Sequence, residues 1–319
     1  MDDCIAGRGL AVVDRDRLRA LSERSDLKGW LQAGSHLGAV GVTTGGLVLA
    51  PALLPAAWLP VVWLPLLLAQ GVLINCLYAG LHELSHWTAF RTKGLNDGFG
   101  HLFGFATLNP FLTDRWSHFA HHRATHDPLR DPELMGMKPY TPATYLLELA
   151  AVTFWVRRVR AVVRAAWALD LDEAYWLPPD QARIVVREAR IHIGLWGVIA
   201  ATSLATGSWA AVVFWLAPLL ATKVFHQLQN TGEHTALEHQ PDTFRNTRTL
   251  RGPAPMRWLV WNMSYHTAHH CFPGVPFHAL PALHQEIVGG LDHPVPTRGY
   301  LEAQRDILAT LRARHRMAA

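Results

Sequence analysis

Three clusters of histidine carry the chemistry that this sequence offers. Residues 262–284 contain His266, His269 and His270, an HxxHH box. Positions i, i+3 and i+4 share one face of a helix, so three imidazoles point the same way. That arrangement is poor core design and good metal-site design. His118, His121 and His122 repeat the spacing, and His82 and His86 stand four apart in HELSH. Imidazole suits iron, zinc, copper and nickel. One zinc takes about four ligands, so eight box histidines are a count for two metals. Asn230 and His234, four apart in QNTGEH, are a further candidate pair, with the Asn230 carbonyl oxygen on a metal or on a metal-bound water. Together they suit two metals at five ligands each, or slightly fewer with an open position.

Around these ligands stand groups able to orient an imidazole through its second nitrogen. Glu83, Asp127, Asp131, Glu133 and Glu233 are the carboxylate candidates, and each is otherwise ordinary surface charge. His126 and His226 lie four before or after a ligand candidate or share its face, which favours support over ligation. His36 and His192 fall in or beside apolar runs and read as hydrogen-bonded structural residues. His101, His239, His278, His284, His293 and His315 lack ligand spacing.

The elements that must position the boxes are long and apolar. Half of the 319 residues are hydrophobic, and they are clustered. Residues 29–82 contain no Asp, Glu, Lys or Arg. A span needs roughly 20 apolar residues, so this run holds two, expected at 32–54 and 58–80 with a turn among Pro51, Pro55 and Pro60. The second runs straight into HELSH. Residues 99–112 are apolar but too short to span, which suggests an interfacial or re-entrant piece. Residues 145–167 combine apolar residues with Arg157, Arg158, Arg160 and Arg164, as an amphipathic helix at an anionic lipid surface does. Residues 191–222 are again free of charge, with a break expected at 206–208. The expected architecture is an all-α integral membrane protein: a segment 1–28, a first hairpin 29–81, a region 82–190 with boxes one and two, a second hairpin 191–222, and a region 223–319 with box three. All 29 Lys and Arg lie outside the two predicted outer turns. The positive-inside rule then puts both termini and every box in the cytosol.

Composition excludes other classes. The net charge of +4 and pI of about 9.1 fit a membrane surface, and no nucleic-acid motif is visible. Cys4, Cys76 and Cys271 are scattered, so neither a disulfide framework nor an iron–sulfur site is expected. The polar, Arg-rich start is not a cleavable signal peptide. Scarce lysine reads as a GC-rich bacterial genome, hence a bacterial inner membrane.

With HELSH, HFAHH, NTGEH and HTAHH in order, and FPGVPFHALPALH after the last box, the chain resembles the membrane fatty acid desaturase family from about residue 29 to 284, most nearly its acyl-lipid bacterial branch. The resemblance implies four spans with a cytosolic helical cap holding two non-heme irons on His82, His86, His118, His121, His122, His234, His266, His269 and His270, with Asn230 on or near one of them. It implies an oxidoreductase that uses O2 and two electrons to desaturate an unactivated C–C bond of a fatty acyl or lipid-like substrate. Members that hydroxylate or ketolate carotenoids, other lipids or small metabolites, including amino-acid derivatives, share the boxes. No fused heme, flavin or iron–sulfur motif is present, so electrons come from a separate ferredoxin-like donor, for which Arg245, Arg248 and Arg251 are docking candidates. HELSH is also HExxH, the zinc metalloprotease signature with Glu83 as base, but that reading leaves both HxxHH boxes unexplained. A metal transporter would need ligating or charged groups within its spans, and these have only isolated histidines.

Overall fold

The computed structural model describes residues 12–134, 140–169, 174–240 and 242–318. Cys4 and the start of the N-terminal segment lie outside them. Helix α1 (Arg15–Leu21) is capped by Asp14, which accepts from the N–H groups of Asp16 and Arg17. Arg17 Nε lies 2.8 Å from Glu286 Oε1, tying this start to the C-terminal region.

Ser25 caps α2 (Asp26–Leu53), and a 3-10 turn leads into α3 (Leu59–Ser85). Among the described residues, Asp26–Leu53 and Ala56–Ser85 are the helices long and apolar enough to cross a membrane. Both outrun the charge-free stretch at their polar ends, because a Ser25 cap starts α2 early and α3 continues through HELSH.

Helices α4 (Lys93–Ala106) and α5 (Phe111–Ala124) form a pair that goes in and comes back. Phe103 and Phe111 are fully buried against α3 and its neighbours. At the tip, the Ala106 carbonyl accepts from Trp215 Nε1 at 2.7 Å. The short apolar stretch is therefore largely packed in protein.

The expected single basic helix is two helices, α6 (Pro142–Leu149) and α7 (Val152–Ala166), broken at Ala151 with φ 63°. Its facing is also reversed. Val152, Val156, Val159 and Val163 form the exposed stripe, while Arg157 and Arg158 line an internal cavity. The arginine pattern alone predicts a lipid-facing charge, but buried acids on α5 and α6 draw two of those arginines inward.

Helix α8 (Ala182–Thr206) ends at Gly207, whose φ of 65° turns the chain at the expected break. A π turn (Val212–Leu216) continues into α9 (Ala217–His234). Helices α3 and α9 approach closely at Gly71, where a Cβ would stand 2.1 Å from the Pro218 carbonyl oxygen. Beside it the Asn75 amide donates to Leu219 O at 2.8 Å and Thr222 Oγ1 at 3.0 Å. This clasp brings His82 and His234 to the same end of the bundle.

The C-terminal region adds strand β1 (Thr249–Arg251) paired in parallel with β2 (Thr297–Gly299), Thr249 opposite Thr297. Strands this short carry no readable alternation, so the all-helical expectation misses them. Helices α10 (His266–Cys271), α11 (Leu280–Gly290) and α12 (Tyr300–Ala318) complete the chain. Trp261 packs with Phe103 and Phe277 beneath boxes one and three, and Val275, Leu280 and Ile287 form the floor of α11.

Candidate metal centre

Four elements deliver the histidines. His82 is in the last turn of α3 and His86 is its C-cap. Helix α5 carries box two, α9 ends on His234, and α10 is little more than box three. His82, His86, His118, His122 and His269 form one group, and His121, His234 and His270 a second, with ligand atoms within 4.8 Å of one another in each. His266 joins the second, its Nε2 2.7 Å from that of His234. The groups adjoin, with the His122 and His270 rings stacked 4.1 Å apart.

The boxes are therefore shared between groups. Successive helical residues are about 100° apart, so His121 and His122 splay toward different centres, as do His269 and His270. The i and i+4 members of box two, His118 and His122, stay together.

Nitrogen tips converge closely. His82 and His269 Nε2 are 2.9 Å apart, His86 and His118 2.8 Å, His118 and His122 2.9 Å, and His121 and His234 3.3 Å. Ligands about 2.0–2.1 Å from one ion stand on the order of 3 Å from each other, so these spacings fit metal-binding pairs. Burial, followed by repulsion from the other imidazoles, pushes His118, His122, His266, His269 and His270 well below the usual histidine pKa. They are neutral at neutral pH, the form a metal binds.

The second nitrogens fix ring orientation. His121 Nδ1–H donates to Asp131 Oδ1 at 2.9 Å, and His234 Nδ1–H to the Asn246 carbonyl at 3.0 Å. Each leaves Nε2 as the free lone pair. His270 Nδ1 is 3.3 Å from Thr125 Oγ1, and His266 Nδ1 is 3.3 Å from Glu233 Oε1. Asp131 is fully buried. Burial alone raises its pKa, but His121 and the N–H groups of His126 and Glu133 outweigh that and hold it below the ordinary carboxylate value. Backbone and Thr125 partners escaped the sequence reading, because a carbonyl carries no residue signature.

Other expected residues divide. His126 supports the site at one remove, its Nδ1 on Glu238 O at 2.8 Å and its ring 5.6 Å from that of His234. Asn230 and His226 line a neighbouring cavity and are in neither histidine group. Asn230 stands one helical turn before His234 on α9. Asp127 pairs with Arg130 at 2.7 Å and holds a surface turn. Glu83 Oε1 accepts from the Phe277 N–H at 2.9 Å; it pins the loop after box three and orients no imidazole. A protease base would have to face the metal, and His82 and His86 instead converge with three further imidazoles. Arg248 is buried, its guanidinium donating to the Gly232 and Thr235 carbonyls. It is therefore corrected from docking residue to internal brace. Arg245 and Arg251 are exposed at the surface, near Glu238 and Glu302.

A family profile described as fatty acid desaturase matches residues 56–300. The chain is 26% identical over 283 residues to a ceramide hydroxylase of Caulobacter vibrioides, covering 75% of this chain and 79% of that protein. It is 27% identical over 237 residues to a sphingolipid delta(4)-desaturase/C4-monooxygenase of Rattus norvegicus, covering 70% and 65%. It is 24% identical over 281 residues to an sn-1 oleoyl-lipid 12-desaturase of a Picosynechococcus strain, covering 82% and 77%.

Proposed function

The chain belongs to the fatty acid desaturase family, and on that premise we propose that it is an O2-dependent iron oxidoreductase of the membrane that desaturates a lipid-like substrate. The observation that carries this reading is the convergence of nine histidines from α3, α5, α9 and α10 into two adjoining groups. Two irons would sit there, one on His82, His86, His118, His122 and His269, the other on His121, His234, His266 and His270. Asn230 is kept as a ligand only through a water. Iron so held supplies the activation of O2 and the removal of hydrogen from an unactivated C–H bond.

The chain's own residues supply the rest. Burial keeps the imidazoles neutral. Asp131 and the Asn246 carbonyl orient His121 and His234. Five imidazoles surround the first position and four the second, with Glu133 Oε1 3.9 Å from His121 Nε2 beside the second. The layout read from the sequence completes the proposal: two hairpins, 29–81 and 191–222, with the cap regions 82–190 and 223–319 and both termini on the cytosolic face of a bacterial inner membrane. Electrons come from a separate ferredoxin-like donor. Hydroxylation is the second reading, favoured by the similarity to a ceramide hydroxylase.

The test is metal per chain in protein purified from iron-supplied cells, followed by product analysis. Two irons, with one lost in His269→Ala and the other in His121→Ala, support the reading. An alkene or an alcohol product then decides between its two forms. One zinc, lost in His86→Ala and insensitive to both other substitutions, refutes it.

A further inference from the structure

A cavity of about 330 Å³ opens beside the second histidine group, within the size range of small-ligand sites. Ser117, next to His118, lies on its wall, as do Glu133, which reaches His121, and His226 and Asn230, which precede His234 on α9. The remaining wall is charged. Glu148, Arg157 and Arg158 face the cavity from α6 and α7, and Asp114 faces it from α5.

Two of the acids, Glu148 and Asp114, are already engaged, and the third, Glu133, faces His121. Glu148 lies 2.6 Å from Arg157 and also accepts from Thr153 and Gln227. Asp114 accepts from Asn109 at 2.7 Å and from the Tyr78 hydroxyl at 3.3 Å. Arg158 is attracted by Asp114 across the cavity but bonded to no acid. Its Nε is buried without a hydrogen-bond partner, its guanidinium makes no ion pair among the described residues, and the Phe154 ring lies 5.4 Å away. Lys223 Nζ stands 4.1 Å over the same ring and 3.2 Å from His226 Nδ1, so a second basic group with no carboxylate bonded to it among the described residues lies behind it. A shielded guanidinium without a hydrogen-bonded anion is costly. Its planar fork matches carboxylate or phosphate oxygens.

We propose that this cavity is the polar subsite of the substrate, and that Arg158 binds an anionic oxygen group there, a carboxylate or a phosphate, while the carbon to be oxidised extends toward His121 and His234. This rests on the function proposed above only for the second half of the statement. A purely hydrocarbon chain would leave Arg158 unmatched. The anion has two sources, a soluble acid or the headgroup of a membrane lipid, and the chemistry that recognises both is the same.

The experiment measures binding in discs of phosphatidylcholine and needs no turnover. Hexanoate and hexan-1-ol, equal in chain length and different in charge, are titrated by calorimetry. In a separate arm, phosphatidate is added to the disc and the unfolding midpoint is followed. Binding of hexanoate at least tenfold tighter than hexan-1-ol assigns the subsite to a soluble acid. A rise in the unfolding midpoint with phosphatidate alone assigns it to a lipid headgroup. Either preference is lost in Arg158→Gln, partly kept in Arg158→Lys, and unchanged in Arg160→Gln on the exposed side of α7. Equal binding of both hexyl compounds together with no response to phosphatidate overturns the proposal, and so does an anion preference that Arg158→Gln retains. The contrast in the unaltered protein stands even if a variant does not fold. Anion binding in a protein that takes up no iron would sink the proposed function and leave the subsite intact.

Discussion

Replacing Asp131 with asparagine separates the two halves of the metal centre. Asp131 Oδ1 accepts from His121 Nδ1 and from the Glu133 N–H, each at 2.9 Å, while Oδ2 accepts from the His126 N–H at 2.8 Å. Asparagine keeps the shape but offers one acceptor. Its better orientation places the carbonyl oxygen toward His121 and Glu133 and turns the NH2 against the His126 N–H. That donor facing a donor in a buried site costs about 1–3 kcal/mol of stability. The imidazole of His121 also loses its charged partner. Removing such a partner lowers metal affinity by about 10–100-fold, or roughly 1.4–2.7 kcal/mol. The loss falls on the group of His121, His234, His266 and His270, because none of the other five rings bonds to Asp131. Purified protein holding both metals is titrated with EDTA, and retained metal is read by mass spectrometry. The altered protein is expected to reach one metal per chain at a tenth to a hundredth of the chelator needed by the unaltered one, then to follow the unaltered curve. Superimposable curves would refute the reasoning, and so would loss of both metals in one step.

Three further outcomes are expected. The depressed pKa values of His118, His122, His266, His269 and His270 mean that the folded chain binds fewer protons than the unfolded chain, whose histidines titrate near 6.5. Stability is then full above about pH 6.5 and falls as pH drops below it; a melting midpoint of metal-free protein that stays flat from pH 7.5 to 5 would contradict this. Gly100→Ala places a Cβ 2.2 Å from the fully buried Phe111 ring and is expected to destabilise by about 1–3 kcal/mol. Gly98→Ala, with nothing within 4 Å, is the neutral comparison in the same melting assay. Replacing the exposed Arg245 and Arg251 with glutamine is expected to slow turnover with an acidic donor protein while sparing peroxide-driven turnover; equal loss in both assays removes the docking idea.

The site was more legible than its surroundings, for reasons of geometry. Helical spacing alone marks His118 with His122, and the short boxes put their residues on a common face. Which member serves which group depends on the angle at which α5 and α10 meet, and that is a tertiary quantity. Asp131 was visible as an acid shortly after box two, whereas Asn246 acts through its carbonyl and has no sequence signal. The arginines of α7 are plain in the sequence, but the side they face is not. Amphipathicity gives two faces without saying which is outside, and the buried acids that decide it, Asp114 and Glu148, come from other helices. Arg248 shows the same limit: nothing in its sequence context marks the two carbonyls at the α9 terminus that occupy its guanidinium.

The pairing of His82 with His269 spans 187 positions of the chain. At a synthesis rate of about 5–20 residues per second, roughly 10 to 40 s separate the appearance of one from the other. During that interval the first box is a bare imidazole pair, open to whichever divalent ion is at hand, and simple imidazole sites favour copper and nickel over iron. Only the complete five-ring enclosure, assembled when α10 docks, imposes a different geometry. On the iron reading proposed above, metallation is thus expected to be a late event, after α10 has docked, and the order in which the helices arrive becomes part of which metal is held.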